Sequence, residues 1–161
     1  MNLPEGWLEE GEAAELQRLA AGKTVLELGA WKGRSTVALA SVASYVVSVD
    51  YHRGIVDRPG VDSLPDYLAS VRGLDNVAIV IAPFERVVPL FDSFFDFCFI
   101  DGSHDEDSVY RDTILAREHV VGPVALHDWD LEGVRDGAQR AMSRPPDRLV
   151  DNYLAVYEYL P

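Results

Sequence analysis

Residues 24–40 read as a strand, a glycine turn and a helix in immediate succession. Thr24–Val25–Leu26–Glu27–Leu28 has the apolar run of a buried strand, interrupted only by Glu27, and Gly29 and Gly33 follow it. Ser35–Thr36–Val37–Ala38–Leu39–Ala40 then continues as a helix. Such a unit places a ligand at the carboxyl end of a parallel strand, because glycine lets the backbone approach closely and the helix start offers free N–H groups. The spacing is G-x-x-x-G, without the G-x-G-x-x-G of a dinucleotide fingerprint. The turn therefore suits a nucleoside without phosphate better than a pyrophosphate. Glu27 is out of character for a buried strand and needs a partner, since an unpaired buried carboxylate is costly. A glycine-loop N–H or the cationic end of a ligand would supply one.

Further short apolar runs follow: Tyr45–Asp50, Val77–Ala82, Phe94–Ile100 and Val124–Leu126. Helical segments lie between or before them. A leading helix spans Trp7 to Ala21, and a short one starts near Ser63 and stops at Gly73. A third is opened by a capping box, Ser103 with Glu106, and runs towards His119. A fourth covers Val134 to Met142, weakened by Gly133 and Gly137. Arg148–Val150, a turn at Asp151–Asn152 and Tyr153–Tyr159 read as a terminal antiparallel hairpin. The alternation predicts parallel βαβ units. The expectation is an α/β, Rossmann-like, doubly wound sheet of seven strands, mostly parallel, in a single domain over residues 1–161. Residues 52–65 carry Gly54, Pro59, Gly60 and Pro65 and read as a loop long enough to be functional.

The formal net charge is −13, so the chain repels phosphate backbones and anionic membrane surfaces; neither nucleic acid nor membrane is an expected partner. No apolar run approaches the ~20 residues of a membrane span, and the first residues lack a basic region followed by an apolar one. The lone Cys98, within Phe97–Cys98–Phe99, fits a structural thiol in a reducing compartment, which makes the cytoplasm the expected location.

In an open parallel sheet, ligands bind beyond the carboxyl ends of the strands. Polar and aromatic residues gather there. Asp50 lies 21 residues after Gly29, the spacing at which an acid accepts hydrogen bonds from ribose hydroxyls. Phe84 follows the third strand and either flanks a purine or joins the core. Asp101 and Asp128 end adjacent strands, with His104 and His127 close in sequence. Two acids with one or two histidines suit a hard divalent cation or general acid–base work. Neighbours on a strand point to opposite faces, so only one of His127 and Asp128 is expected at the site. His52 and His119 read as surface residues.

Glu27–Leu28–Gly29–Ala30–Trp31–Lys32–Gly33 resembles the E-x-G-x-x-x-G signature of class I S-adenosylmethionine-dependent methyltransferases. Ile100–Asp101–Gly102–Ser103–His104, with Val109, Asp112, Gly122 and His127–Asp128–Trp129, is similar to the I-D-G-x-H … H-D-W pattern of small members of that group. The resemblance implies S-adenosyl-L-methionine as cofactor and a seven-stranded sheet whose last strand is inserted antiparallel. It implies that Gly29 and its neighbours Glu27, Ala30, Lys32, Gly33 and Ser35 meet the methionine part. Asp50, with Tyr51 beside it, holds the ribose, and Phe84 with its loop the adenine. Asp101 and Gly102 complete the cofactor site, and Asp101 to His104 line the passage to the acceptor.

The arrangement is also similar to the catechol O-methyltransferase group, in which two acids and an asparagine hold magnesium. Asp101 and Asp128 match the acids; Trp129 replaces the asparagine, leaving Asp130 or His104 to complete the set for Mg2+ or another divalent cation. His104 is the first candidate for general base, with His127 or Asp128 second. Trp129, Trp31 and Tyr51 are expected to shape an apolar pocket for a small-molecule acceptor, most simply a hydroxyl compound. The loop at 52–65, the leading helix or a second copy in a homodimer would cover the site. Two other classes stay open on the residues: a nicotinamide-dependent oxidoreductase, which would need pyrophosphate contacts, and a non-catalytic cofactor-binding module.

Overall fold

A computed structural model describes residues 3–55, 58–92 and 94–158. Its chain order is α1 (Glu10–Ala20), β1 (Thr24–Leu28), α2 (Arg34–Ala40), β2 (Tyr45–Asp50), β3 (Gly54–Ile55), β4 (Arg58–Pro59), α3 (Leu64–Ser70) and β5 (Val77–Ile81). It continues with α4 (Phe84–Val87) and a 3-10 turn at Val88–Leu90, then β6 (Phe97–Ile100), α5 (Glu106–His119), β7 (Val124–Leu126), α6 (Glu132–Met142), β8 (Arg148–Val150) and β9 (Leu154–Tyr157). Seven strands form one sheet in the order β5-β2-β1-β6-β7-β9-β8. The five strands from β5 to β7 are parallel, while β9 pairs antiparallel with both β7 and β8. The last strand is thus inserted between its two predecessors, as the resemblance implies. The loop at 52–65 holds the small β3–β4 hairpin.

The alternation of the strands explains the layering. Leu26, Leu28, Cys98, Ile100, Val124 and Leu126 point to one face and pack under Val109 and Ala116 of α5 and Val134, Ala138 and Met142 of α6. Val25, Phe97, Phe99 and Ala125 point to the other and pack under Leu16 and Leu19 of α1 and Ala38 and Leu39 of α2. The central strands are covered on both sides, which is why they read as continuous apolar runs; the edge strand β5, expected to be buried, leaves Ile79 and Ile81 exposed. Gly137, which weakens α6 as an isolated helix, is needed in context: a Cβ there would come within 2.5 Å of the Glu106 carbonyl and 2.8 Å of Val109 Cβ. The glycine lets α6 lie against the first turn of α5.

Two sequence expectations are corrected. The cap of α5 is Asp105, whose side chain accepts from Ser108 N at 3.0 Å, so Ser103 stays in the loop before it. The fourth parallel strand begins at Phe97; Phe95 makes only an isolated bridge to Val120. The hairpin turn at Asp151–Asn152 is as expected, with φ of 50° and 65°. Three residues, 151–153, join the strands, and Asp and Asn are the residues that best tolerate the two successive left-handed positions.

Candidate active site

The glycine turn is built by a close backbone approach. Gly29 has φ 96°, and a Cβ there would overlap the Asp101 carbonyl. Only glycine lets the ends of β1 and β6 come this near. Gly33, at φ 88°, is the cap residue of α2. Beneath the turn lies Glu27, fully buried, whose oxygens accept from Ser35 Oγ and Thr36 Oγ1 at 2.6 Å each and from Ser48 Oγ at 2.5 Å. Its partners are therefore three hydroxyls, neither a loop N–H nor a ligand. Burial pushes its carboxyl up to about 7 against the pull of those donors.

Above the strand tips a cavity of about 660 Å³ opens. Its wall includes Gly29, Ala30, Ser35, Asp50, Tyr51, Phe84, Asp101, Gly102, His104, His127 and Asp128. Three expected cofactor residues stand outside it. Glu27 is sealed below the turn. Lys32 reaches outward to Glu5 at 3.0 Å and Asp66 at 3.3 Å. Gly33 faces Tyr67 and Ser70 of α3. Asp50 stands at the wall, yet it also fixes the turn: Oδ2 accepts from Ala30 N and Trp31 N at 2.8 and 2.9 Å, and Oδ1 from His52 N at 2.7 Å.

At the β6 and β7 tips, four ionisable groups meet Glu12 of α1. His104 Nε2 lies 2.9 Å from Asp128 Oδ2. His127 Nδ1 lies 3.5 Å from Asp101 and 3.4 Å from Asp128, and its Nε2 is 3.3 Å from Glu12. Both His127 and Asp128 face the cavity, against the expectation from strand alternation. The reason is local: β7 stops at Leu126, and Asp128 takes φ 55°, which swings its side chain back. Burial disfavours the charged His127 ring, but Asp101, Asp128 and Glu12 outweigh it and push its pKa up to about 12. Burial would raise Asp128, yet hydrogen bonds from His104 and His127 hold its carboxyl well below the usual range. His127 is thereby held towards its charged form, which weighs against it as the second candidate base.

Other aromatic expectations divide. Trp129 is buried in the core, edge-on to Tyr157 at 6.4 Å, and takes no part in the wall. Trp31 lines the cavity and stacks on Trp7 at 4.2 Å between centroids. His52, read from sequence as a surface residue, is buried against Tyr67 with its Nδ1 2.9 Å from Ser63 Oγ. His119 is half-buried, with Nδ1 2.9 Å from the Leu115 carbonyl.

One wall residue, Glu12, escaped the sequence reading, and a second, Asp112, entered it only as part of the motif resemblance. Glu12 sits on the buried face of α1 with Leu16 and Leu19, and Asp112 on the buried face of α5 with Val109, Thr113 and Ala116. Each is an acid at a helical spacing otherwise apolar, the signal that would have revealed it.

A family model described as a methyltransferase domain matches residues 26–129, from β1 to the turn after β7. The chain belongs to the methyltransferase domain family. Among solved structures, cofactor-bound Rv0187 from MTB is 21% identical with a TM-score of 0.74, covering 98% of this chain and 84% of that one. The O-methyltransferase from Bacillus cereus in complex with SAH is 17% identical with a TM-score of 0.70, covering 98% and 84%. The O-methyltransferase TomG from Streptomyces achromogenes, in complex with SAM, is 15% identical with a TM-score of 0.70, covering 95% and 82%. These likenesses show that this methyltransferase domain shares their fold. No curated protein matches the sequence. Among the described residues of this methyltransferase domain, no helix is long and apolar enough to cross a membrane.

Asp101, His104 and Asp128 each offer one donor atom, and the three lie within 4.8 Å of one another. Two carboxylates and an imidazole suit a transition-metal dication better than Mg2+, a hard ion that prefers oxygen donors alone. Asp130 lines the cavity but stands outside this cluster.

Proposed function

We propose that this chain is a single methyltransferase domain that uses S-adenosyl-L-methionine to methylate a hydroxyl of a small-molecule acceptor. One observation carries the reading: the His104–Asp128 pair, 2.9 Å apart, opens into the same cavity as the glycine turn and Asp50. When bound, S-adenosylmethionine supplies an electrophilic methyl group on a cationic sulfur for in-line displacement by the acceptor oxygen.

The chain's own residues supply position and proton transfer. The Gly29 turn presents backbone to the methionine end. Asp50 offers carboxylate oxygens at the ribose position while it holds the turn rigid through Ala30 N and Trp31 N. His104 takes the acceptor's hydroxyl proton, and Asp128 orients the imidazole and balances its charge, the logic of a carboxylate–histidine pair. The wall is rich in acids, with Glu12, Asp50, Asp101, Asp112 and Asp128, which favours a cationic ligand. Trp7, Trp31 and Tyr51 border the acceptor side. Asp101, His104 and Asp128 would hold a divalent cation, which would polarise the acceptor oxygen; a histidine bound to metal is not free to take the proton.

Titration calorimetry with S-adenosylhomocysteine and with NAD tests the cofactor. Binding of the first and silence from the second is expected; tight NAD binding alone overturns the reading. Methyl transfer to a panel of hydroxylated acceptors, with and without chelator, tests the chemistry. Turnover that survives chelation and is lost in His104→Asn assigns the proton to His104, whereas cofactor binding with no transfer to any acceptor favours the non-catalytic module.

A further inference from the structure

Helix α6 opens on a residue that does nothing for its stability. Its N-cap is Leu131, at φ −80° and ψ 132°, and no side-chain hydrogen bond caps the helix. Ser, Thr, Asn or Asp at that position would accept from the free N–H groups and strengthen it. Leu131 is instead 38% exposed and stands on the wall of the strand-tip cavity. Tyr153, 46% exposed, stands on the same wall. Its backbone closes the hairpin turn: Tyr153 N donates to the Val150 carbonyl at 3.1 Å, and its carbonyl accepts from Trp129 N at 2.9 Å. Neither bond needs the ring. Leu131 N donates to the Asp128 carbonyl at 3.0 Å. Both residues therefore flank the turn that carries Asp128, the partner of His104. Large apolar side chains left open to water beside reacting groups are surface for an apolar ligand to cover. The charges nearby narrow that ligand further. Glu9, Glu12 and Asp130 share the wall and repel an anionic body.

We propose that Leu131 and Tyr153 set the acceptor specificity, holding the apolar body of the acceptor while its hydroxyl meets His104. The inference rests on the methyl-transfer reading above and adds the class of acceptor: a hydroxyl compound with an apolar body and no anionic group. A leucine kept at a cap position is then a trade of helix stability for recognition.

Calorimetry tests this without turnover. The probes are phenol, its para-methyl, para-ethyl and para-propyl derivatives, and para-hydroxybenzoate, each titrated into protein saturated with S-adenosylhomocysteine. The proteins are the native chain, Leu131→Ser, Tyr153→Phe and Tyr153→Ser. The native chain should bind about threefold more tightly for each added carbon, the worth of a largely buried methylene, and should bind para-hydroxybenzoate more weakly than phenol. The gain per carbon should fall below about twofold in Leu131→Ser and in Tyr153→Ser, whereas Tyr153→Phe, which keeps the ring, should retain it. Leu131→Ser gives α6 a capping hydroxyl, so its thermal midpoint should lie at or above the native one. Lost discrimination in a protein that melts no lower does not come from unfolding. A native series with no binding or no gain per carbon, or equal gains in the native chain and both serine variants, overturns the inference while the cofactor reading stands. No binding of S-adenosylhomocysteine to the native chain overturns the cofactor reading itself.

Discussion

Replacing Glu27 by Gln should make the protein more stable as the pH rises, relative to the native chain. Glu27 is fully buried and its carboxyl is raised from 4.5 to about 7. Between those values the folded state holds a proton that the unfolded chain has released, so native stability falls as pH climbs through the window and is level above it. At about 1.36 kcal/mol per tenfold change, the step is worth about 3 kcal/mol. Gln carries no charge to bury. Its carbonyl can keep accepting from Thr36 and Ser48, and its amide can donate to Ser35, whose hydroxyl reverses its role. Asp112 titrates over a similar range but is present in both proteins and cancels in the difference. Urea melts of the two proteins at intervals from pH 4.5 to 8 should show the variant gaining about 3 kcal/mol on the native chain across that span. A difference that stays flat, or moves the other way, would refute the claim that Glu27 ionises at a cost inside the fold.

Gly137→Ala should destabilise the protein by about 1–3 kcal/mol, seen as a lower denaturation midpoint, because α6 can no longer lie against Glu106 and Val109. Glu12→Ala removes one partner of the buried His127 pair and should cost about 3 kcal/mol. His127 is raised from 6.5 to about 12, so its pairings contribute fully below pH 6.5 and fade as pH rises towards 12; the variant's melts should therefore show a shallower alkaline decline. Asp50→Ala strips acceptors from two backbone N–H groups of the glycine turn and from His52 N, and should weaken S-adenosylhomocysteine binding by about tenfold or more in calorimetry.

The parallel strands and their order of appearance were legible because each is an apolar run closed by a polar tip or, for β5, by Pro83, and the hairpin because Asp151–Asn152 is turn chemistry. The cavity wall was legible in the same way: Gly29, Asp50, Asp101, His104 and Asp128 all stand at strand ends, where the fold must expose them. What escaped depended on facts a linear pattern does not hold. Lys32 and Gly33 belong to the glycine turn in sequence but face α3 or solvent-exposed acids in space. Asp128 departs from strand alternation through one left-handed residue. Glu12 and Asp112 come from helices, and their meaning appears only when those helices are laid over the strand tips. His52 looked exposed because its neighbours are loop residues, yet the loop folds it inward onto Tyr67.

The place of β9 has a kinetic consequence. Residues 124–126, all apolar and fully buried in the finished sheet, gain their second neighbour only when 154–157 arrive. During synthesis the chain must therefore carry an unpaired, sticky ribbon beside the finished strands until residues 154–157 emerge. The turn that bears Asp128 waits as well, since Trp129 N is anchored to the Tyr153 carbonyl. Any shortening that removes the closing ribbon should leave a species prone to self-association, with the turn that bears Asp128 unanchored, however intact the glycine turn remains.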